Sequence, residues 1–316
     1  MRYVTFAPKG DAGRPRLGAW WDSEVAELAG ISGLPTTMLA FLEAGPSAWA
    51  TAQDVVGQAG IRRWSGADVR LCAPLPRPPS LRDFYAFERH VATAFANRGR
   101  PVPDEWYDFP AFYFSNPGSV RGHEDPVAAP PGSQALDYEL EVACVVGRGG
   151  RDLAAAEAAS NIFGYTILND WSARDLQRDE MSVGLGPAKG KDFATSLGPW
   201  LVTPDELAEA AEGRPGVYHL AMAARVNGVE RSRGDLAELH YSFGDMVARA
   251  SSGTELYPGD VIGSGTVGTG CLLELTAGQG PWLRPGDVVE LEVERLGVLK
   301  NTVVSYVGAK HASPLR

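Results

Sequence analysis

Two glutamates one residue apart, Glu139 and Glu141, sit in the run DYELEVACVVG at 137–147. Side chains alternate across a β-strand, so Tyr138, Leu140, Val142, Cys144 and Val146 share one face. The two carboxylates then lie side by side on the other, which turns apolar at Ala143 and Val145. Two readings stay open at this point: a solvated strand edge, or a pair whose repulsion a divalent cation converts into chelation. A second cluster, NDWSARDLQRDE at 169–180, follows the apolar run NIFGYTIL. Asp170 falls where a strand ends and a helix begins, free to cap that helix. Arg174 and Gln177 lie three apart on one helical face, either an ordinary solvated face or a fork of donors beside an amide, suited to a carboxylate.

The third cluster is LRDFYAFERHVATAF at 81–95. Asp83 and His90 are two helical turns apart and share a side if one helix runs through both. A lone histidine is more often a surface or hydrogen-bonded residue than a base, so His90 gains weight only from context. GPAKGKDFATS at 186–196 fails as a phosphate loop, because the Gly186 to Gly190 spacing is too short and Asp192 stands where Ser or Thr should bind magnesium. Lys191 remains a cation in a glycine-rich loop, suited to an anionic ligand. Gly263, Gly265, Gly268 and Gly270 precede LLEL, which reads as a strand. Such a run permits close backbone approach to a ligand, or a tight bend between strands.

The elements that must hold these groups follow from pattern and punctuation. Residues 1 to about 30 read as a small meander of strands, and PTTMLAFLEAG and SAWATAQDVVGQAG as helices ending near glycine. Pro74, Pro76, Pro78 and Pro79 then interrupt regular structure, which sets a domain boundary there: a small N-terminal domain at 1–76 and a larger one at 77–316. The larger part is α+β and strand-rich. Asn227-Gly228 marks a two-residue hairpin, and VVELEVERLG with VLKNTVVSYV a second antiparallel pair. Its best helices are Asp152 to Ala159, TPDELAEAAEG with Thr203 as cap, and FGDMVARASS.

Composition narrows the function. The 316 residues carry 29 Lys and Arg against 39 Asp and Glu, a formal charge of −10. That surplus argues against nucleic acid and anionic membranes as partners. Cys72, Cys144 and Cys271 are dispersed, which argues against disulfides and a cysteine zinc site. No signal-like segment and no apolar run of about 18 residues is present, so the expected location is the cytoplasm.

Taken in order, D-F-Y-x-x-x-x-H, D-x-E-x-E, N-D-W-S-A-R-D-x-Q, G-K-x-F-x-T-S-x-G-P-W and S-G-T followed by L-E-L resemble the fumarylacetoacetate hydrolase family, from about residue 80 onward. The resemblance implies a mixed β-sandwich roll as catalytic domain, preceded by a short α+β auxiliary domain. It implies that Asp83, Glu139, Glu141 and Asp170 are metal ligands for Mg²⁺, with Mn²⁺ or Ca²⁺ as alternatives. His90 then falls on the catalytic base, Glu274 on the carboxylate that orients it, and Lys191, Arg174 and Gln177 on residues around the metal and the substrate's oxyanions. Tyr113 and Thr266 match substrate-contacting positions. The implied activity is metal-dependent hydrolysis of a C–C bond in a small anionic β-diketo acid of the fumarylacetoacetate, fumarylpyruvate or acylpyruvate type. Decarboxylation, isomerisation or hydration of a 2-oxo acid and, further off, an idle binding protein are the alternatives on the same fold. A homodimer is implied as well. Two departures stand out: the arginine that the family carries a few residues beyond the histidine is here Gly99, between Arg98 and Arg100, and a Y-H-G-R-like stretch is replaced by Tyr113-Phe114-Ser115-Asn116.

Overall fold

The structure is a computed structural model that describes residues 1–11 and 14–307; residues 308–316 of the expected catalytic domain lie outside it. Strands dominate. Among the described residues they form a twelve-stranded mixed sheet, a five-stranded sheet and a two-stranded ribbon. The strand Leu140–Val146 runs inside the large sheet, antiparallel to Ile162–Asp170 on one side and to Val261–Gly263 on the other.

The alternation along that strand feeds two cores. Leu140, Val142, Cys144 and Val146 enter the larger one, where they meet Met222, Ala224, Val289 and Leu291 of the five-stranded sheet. The two sheets thus face each other across shared apolar side chains, as sheet-on-sheet packing requires. The helix Phe243–Ser251 adds Phe243, Met246, Val247 and Ala250 to the same core. Ala143 and Val145 point the other way, into a core with Tyr3, Leu17, Phe41 and Leu42. A strand buried on both faces reads as a near-continuous apolar run. The solvated-edge reading of Glu139 and Glu141 is therefore overturned: both are buried, Glu141 completely.

The N-terminal meander forms from Arg2–Pro8, Arg16–Trp21 and Glu24–Glu27, and the helices Met38–Ala44 and Pro46–Val55 follow. Arg2–Pro8 also pairs with Thr195–Val202, Tyr3 opposite Leu201, so the meander extends the large sheet. The hairpin at Asn227-Gly228 joins Ala221–Val226 to Val229–Asp235. Both turn residues have positive φ, 53° and 75°, as a type I′ turn demands. Val288–Val293 and Gly297–Val304 form the other expected antiparallel pair. Among the described residues, no helix is long and apolar enough to cross a membrane.

Three elements differ from expectation. DYELEVACVVG is broken: Leu136–Asp137 pairs with Ser172–Ala173, and the long strand restarts at Leu140. Pro204–Ala210 is a 3₁₀ helix without a side-chain cap; the Thr203 Oγ1 instead accepts from the Met1 ammonium at 2.6 Å. The helix expected from Asp152 covers only Ala155–Ala158, since Asp152 adopts φ 52° and accepts a bond from the Gly253 N–H at 2.7 Å.

The helix Phe243–Ser251 begins in a reciprocal cap. Ser242 Oγ accepts from the Asp245 N–H at 3.1 Å, and the Asp245 carboxylate accepts from the Ser242 N–H at 2.9 Å. Replacing Ser242 by Ala is expected to lower stability by about 1 kcal/mol. Chemical denaturation of the two proteins checks this.

Candidate active site

Strand ends bring the carboxylates together. Asp83 belongs to the strand Leu81–Phe84, which runs parallel to Val261–Gly263 with Asp83 opposite Gly263. Asp170 is the last residue of Ile162–Asp170, and Glu141 lies in the neighbouring strand. Glu139 sits in the break before that strand, its N–H donating to the Asn169 side chain at 2.9 Å. The four residues each offer one carboxylate oxygen to a cluster whose atoms all lie within 4.8 Å of one another. Every one of them is buried. The helix expected to join Asp83 to His90 is not formed. Asp83 is on a strand, and His90 is on the following helix, Glu88–Ala96.

Such crowding is costly in a medium of low polarity, and the ionisation of the four groups reflects it. Burial, reinforced by Asp170, drives the Asp83 carboxyl well above the ordinary carboxylate range. Burial and the neighbouring Asp83 do the same to Glu141. Asp170 is raised by burial against the pull of Lys191. Burial also acts to raise Glu139, but Lys191 and Arg174 outweigh it and hold this carboxyl at about 2. The ammonium of Lys191 lies 2.5 Å from both Glu139 Oε2 and Asp170 Oδ2. Arg174 Nη2 is 2.8 Å from Glu139 Oε1. Asp170 therefore does not cap the following helix; it accepts bonds from Lys191 and from the Tyr113 hydroxyl.

Two buried oxygens, Glu141 Oε2 and Asp170 Oδ1, have no hydrogen-bond partner. Buried carboxylate oxygens are rarely left in that state. Oxygen-only donors around an excess of negative charge fit a hard divalent cation, and the four residues named above are the ones that would hold it.

The acid-base pair borders this cluster. His90 Nδ1 lies 2.5 Å from Glu274 Oε1, with both side chains buried. Among the described residues, Nε2 has no protein partner, and His90 forms part of the wall of a cavity of about 370 Å³. Asp83, Tyr113, Glu139, Glu141, Arg174, Gln177, Lys191 and Thr266 line the same cavity, whereas Asp170 and Glu274 stand behind it. Arg174 Nη1 donates to Gln177 Oε1 at 3.2 Å, so these two work as one unit on the helix Arg174–Ser182. The Thr266 hydroxyl donates to Glu141 Oε1 at 3.2 Å.

The segment LLEL is a short helix, Leu272–Leu275, and not a strand. Asp137, which sequence reasoning passed over, explains the turn. Its fully buried carboxylate accepts from the N–H groups of Leu272 and Leu273 at 2.8 and 2.9 Å, and from Arg174 Nε at 2.9 Å. The signal was present as the first acid of D-x-E-x-E. Glu180 was also missed, and nothing local announces it. Its carboxylate accepts from the N–H groups of Ala188, Lys189 and Gly190 at 3.0, 2.5 and 3.1 Å and so fixes the loop that delivers Lys191.

The glycine run, read as a place for close backbone approach to a ligand or a tight bend, puts Gly265 on the cavity wall and Gly263 against a carboxylate. A Cβ on Gly263 would lie 2.4 Å from Asp83 Oδ1. Gly263→Ala is therefore expected to weaken cation binding about 10- to 100-fold with the fold retained, as calorimetric titration and circular dichroism would show. Cation binding should also be proton-linked. Because Asp83, Glu141 and Asp170 hold protons more tightly than in the unfolded chain, the cation-free protein loses stability as pH rises above the ordinary carboxylate range. Glu139 acts oppositely, contributing stability above its usual range that is lost as pH falls toward about 2. Saturating Mg²⁺ displaces the extra protons, so its affinity should rise with pH, with proton release seen by titration in buffers of different ionisation enthalpy.

Known proteins resemble this chain along most of its length. Residues 80–304 match the family model described as fumarylacetoacetate (FAA) hydrolase C-terminal. A mitochondrial oxaloacetate tautomerase of Homo sapiens is 32% identical over 274 residues, covering 86% of this chain and 81% of that protein. Among solved structures, the fumarylacetoacetate hydrolase of Exiguobacterium antarcticum superposes with a TM-score of 0.74 at 27% identity, and the 5-carboxymethyl-2-hydroxymuconate delta-isomerase of Mycobacterium smegmatis with 0.69 at 28%. Each of these two covers 97% of this chain and 100% of its own. The proteins it resembles thus include a hydrolase, an isomerase and a tautomerase, and the chain itself belongs to the fumarylacetoacetate hydrolase family.

Proposed function

We propose that this chain is a divalent-cation-dependent hydrolase that cleaves the C–C bond of a small β-diketo acid of the fumarylacetoacetate, fumarylpyruvate or acylpyruvate type. The observation that carries the reading is the buried His90–Glu274 pair, with His90 on the wall of the cavity that Asp83, Glu139 and Glu141 also line. A divalent cation, Mg²⁺ by preference, would be held by Asp83, Glu139, Glu141 and Asp170 and would supply Lewis acidity toward the oxygens of the bound diketo acid.

The chain's own groups supply the proton transfers. His90 Nε2 takes a proton from water while Glu274, on Nδ1, stabilises the imidazolium that forms. The hydroxide adds to the carbonyl carbon. Arg174 with Gln177, and Lys191, offset the charge that builds on the oxygens. The C–C bond then breaks, the electron pair leaves with the oxo-acid fragment, pyruvate or acetoacetate, as an enolate, and the proton on His90 Nε2 returns to its carbon. Substrate and one water become two acids, and His90 ends as it began.

A second reading keeps the base and omits the water. His90 Nε2 would take a proton from the carbon beside the 2-oxo group, giving tautomerisation or isomerisation, and the similarity to an oxaloacetate tautomerase over 86% of the chain favours it. An assay of the purified protein against acylpyruvates, fumarylpyruvate, fumarylacetoacetate and oxaloacetate, with and without Mg²⁺ or Mn²⁺, separates the two. Pyruvate or acetoacetate released without CO₂ supports hydrolysis. Conversion of enol to keto oxaloacetate alone supports the second reading, and CO₂ from oxaloacetate supports decarboxylation. His90→Ala is expected to lower turnover by at least about 100-fold while the calorimetric cation titration is unchanged. Undiminished turnover would remove His90 from the mechanism.

A further inference from the structure

Cys271 lies beside the acid-base pair and takes no part in the reaction assigned to it. It is a free thiol, fully buried, at the residue that opens the short helix Leu272–Leu275, about one turn ahead of Glu274. One ligand atom each from Cys271, Glu274 and His90 lie within 4.8 Å of one another. A sulfur, a carboxylate oxygen and an imidazole nitrogen thus meet at one point, carried by two helical segments whose His90 and Glu274 stand 184 residues apart. No short spacing motif could announce such a set; the dispersed cysteines argued only against a site built from several of them. A second observation marks the same point. Glu274 uses Oε1 on His90 Nδ1, whereas among the described residues its Oε2 is buried without a hydrogen-bond partner, on a side chain only 2% exposed. Buried carboxylate oxygens are seldom left in that state. His90 also lines the reaction cavity, which gives an ion a route to the imidazole and to the two groups behind it.

We infer that His90, Cys271 and Glu274 form a second metal site, one for Zn²⁺, and that its occupancy switches the acid-base pair off. The inhibitory part rests on the role proposed for His90; the site itself does not. Donor chemistry separates the two sites, since four carboxylates suit a hard cation, while a thiolate with an imidazole and one carboxylate suits a softer one. Zinc holds such donors at about 2.0–2.3 Å, hence about 3.5 Å from one another, so the three side chains close on it with shifts of about an ångström. Three protein ligands leave a fourth position for water. The ion takes His90 Nδ1, the Cys271 sulfur and a Glu274 oxygen. The thiol proton leaves to solvent, and the proton that Nδ1 shared with Glu274 moves to Nε2. A neutral imidazole bound to metal through one nitrogen and protonated on the other has no lone pair with which to take a proton from water or carbon. Mg²⁺ is a poor partner for sulfur and stays with the carboxylate cluster, so the two ions act at separate places.

The probe is Co²⁺ as a spectroscopic substitute for Zn²⁺, added to protein kept in saturating Mg²⁺ so that the carboxylate cluster is filled. A thiolate on Co²⁺ gives an intense near-ultraviolet charge-transfer band that oxygen donors do not. That band is expected in the unaltered protein and in Cys72→Ser, and stoichiometric Zn²⁺ should displace it. It should be absent from Cys271→Ser and Cys271→Ala, whose folding is checked by circular dichroism and by an unchanged Mg²⁺ titration. Glu274→Gln should weaken Co²⁺ binding at least about tenfold, which keeps the test decisive if neither Cys271 variant folds. In turnover, Zn²⁺ should inhibit the unaltered protein in saturating Mg²⁺. Cys271→Ser should need about 100-fold more Zn²⁺ for the same inhibition, with its zinc-free turnover retained. If no diketo acid is cleaved, the hydrolysis reading fails while the cobalt spectrum still decides the site. A missing band in the unaltered protein, a band that persists in Cys271→Ser, one lost in Cys72→Ser, or undiminished Co²⁺ affinity in Glu274→Gln overturns the site. Equal zinc sensitivity of Cys271→Ser and the unaltered protein overturns the switch.

Discussion

The mutual repulsion of buried carboxylates at one corner of the large sheet governs the design of this molecule. Asp83, Glu139, Glu141 and Asp170 are packed closely enough that water cannot screen them, and Asp137 lies just behind. Lys191 and Arg174 answer part of that charge, and both are buried in doing so. Isolated buried cations would be as unfavourable as the acids. The remaining negative charge suits the corner to a divalent ion. Glu180 on its loop, Gly263 beside Asp83 and the Asn169 side chain under Glu139 then serve as supports for groups that would otherwise move apart.

Much of this was legible in the sequence, for identifiable reasons. The period-two pattern of 137–147 correctly divided the side chains between two faces, because a strand leaves little choice. Asn227-Gly228 named its own turn, since few other pairs accept positive φ at both positions. The order of short motifs pointed to the family, which residues 80–304 match. What local pattern missed was decided by distant partners. The segment LLEL has strand-like composition, yet the carboxylate of Asp137, 135 residues away from Leu272, takes the first N–H groups and winds it into a helix. Thr203 has the residue type of a helix cap, but its oxygen accepts from the Met1 ammonium instead. Glu180 carries no local mark because the N–H groups it serves belong to a loop eight to ten residues on.

On the proposed reaction, the placement of His90 beside the acid cluster is compatible with more than one outcome. Taking a proton from water and taking one from carbon ask the same thing of His90: a free Nε2 at the cavity wall and a carboxylate on Nδ1. Which of them occurs depends on what lies nearest to that nitrogen, and that is set by how the substrate is seated. On that proposal, selectivity among such reactions would belong to the cavity walls, and the pair and the cluster would serve each of them.

Asp137 makes one last point about modularity. One carboxylate grips Arg174 with one set of lone pairs and the start of the helix bearing Glu274 with the other. Substrate charge and the partner of the base are thereby mounted on a common pivot. A shift of the guanidinium toward a differently shaped ligand would be transmitted through about two hydrogen-bond lengths to the helix that aims Glu274 at His90. On the proposed reaction, recognition and proton transfer would not be separable parts that drift independently as substrates change; any new substrate would have to be accommodated without displacing a single buried acid.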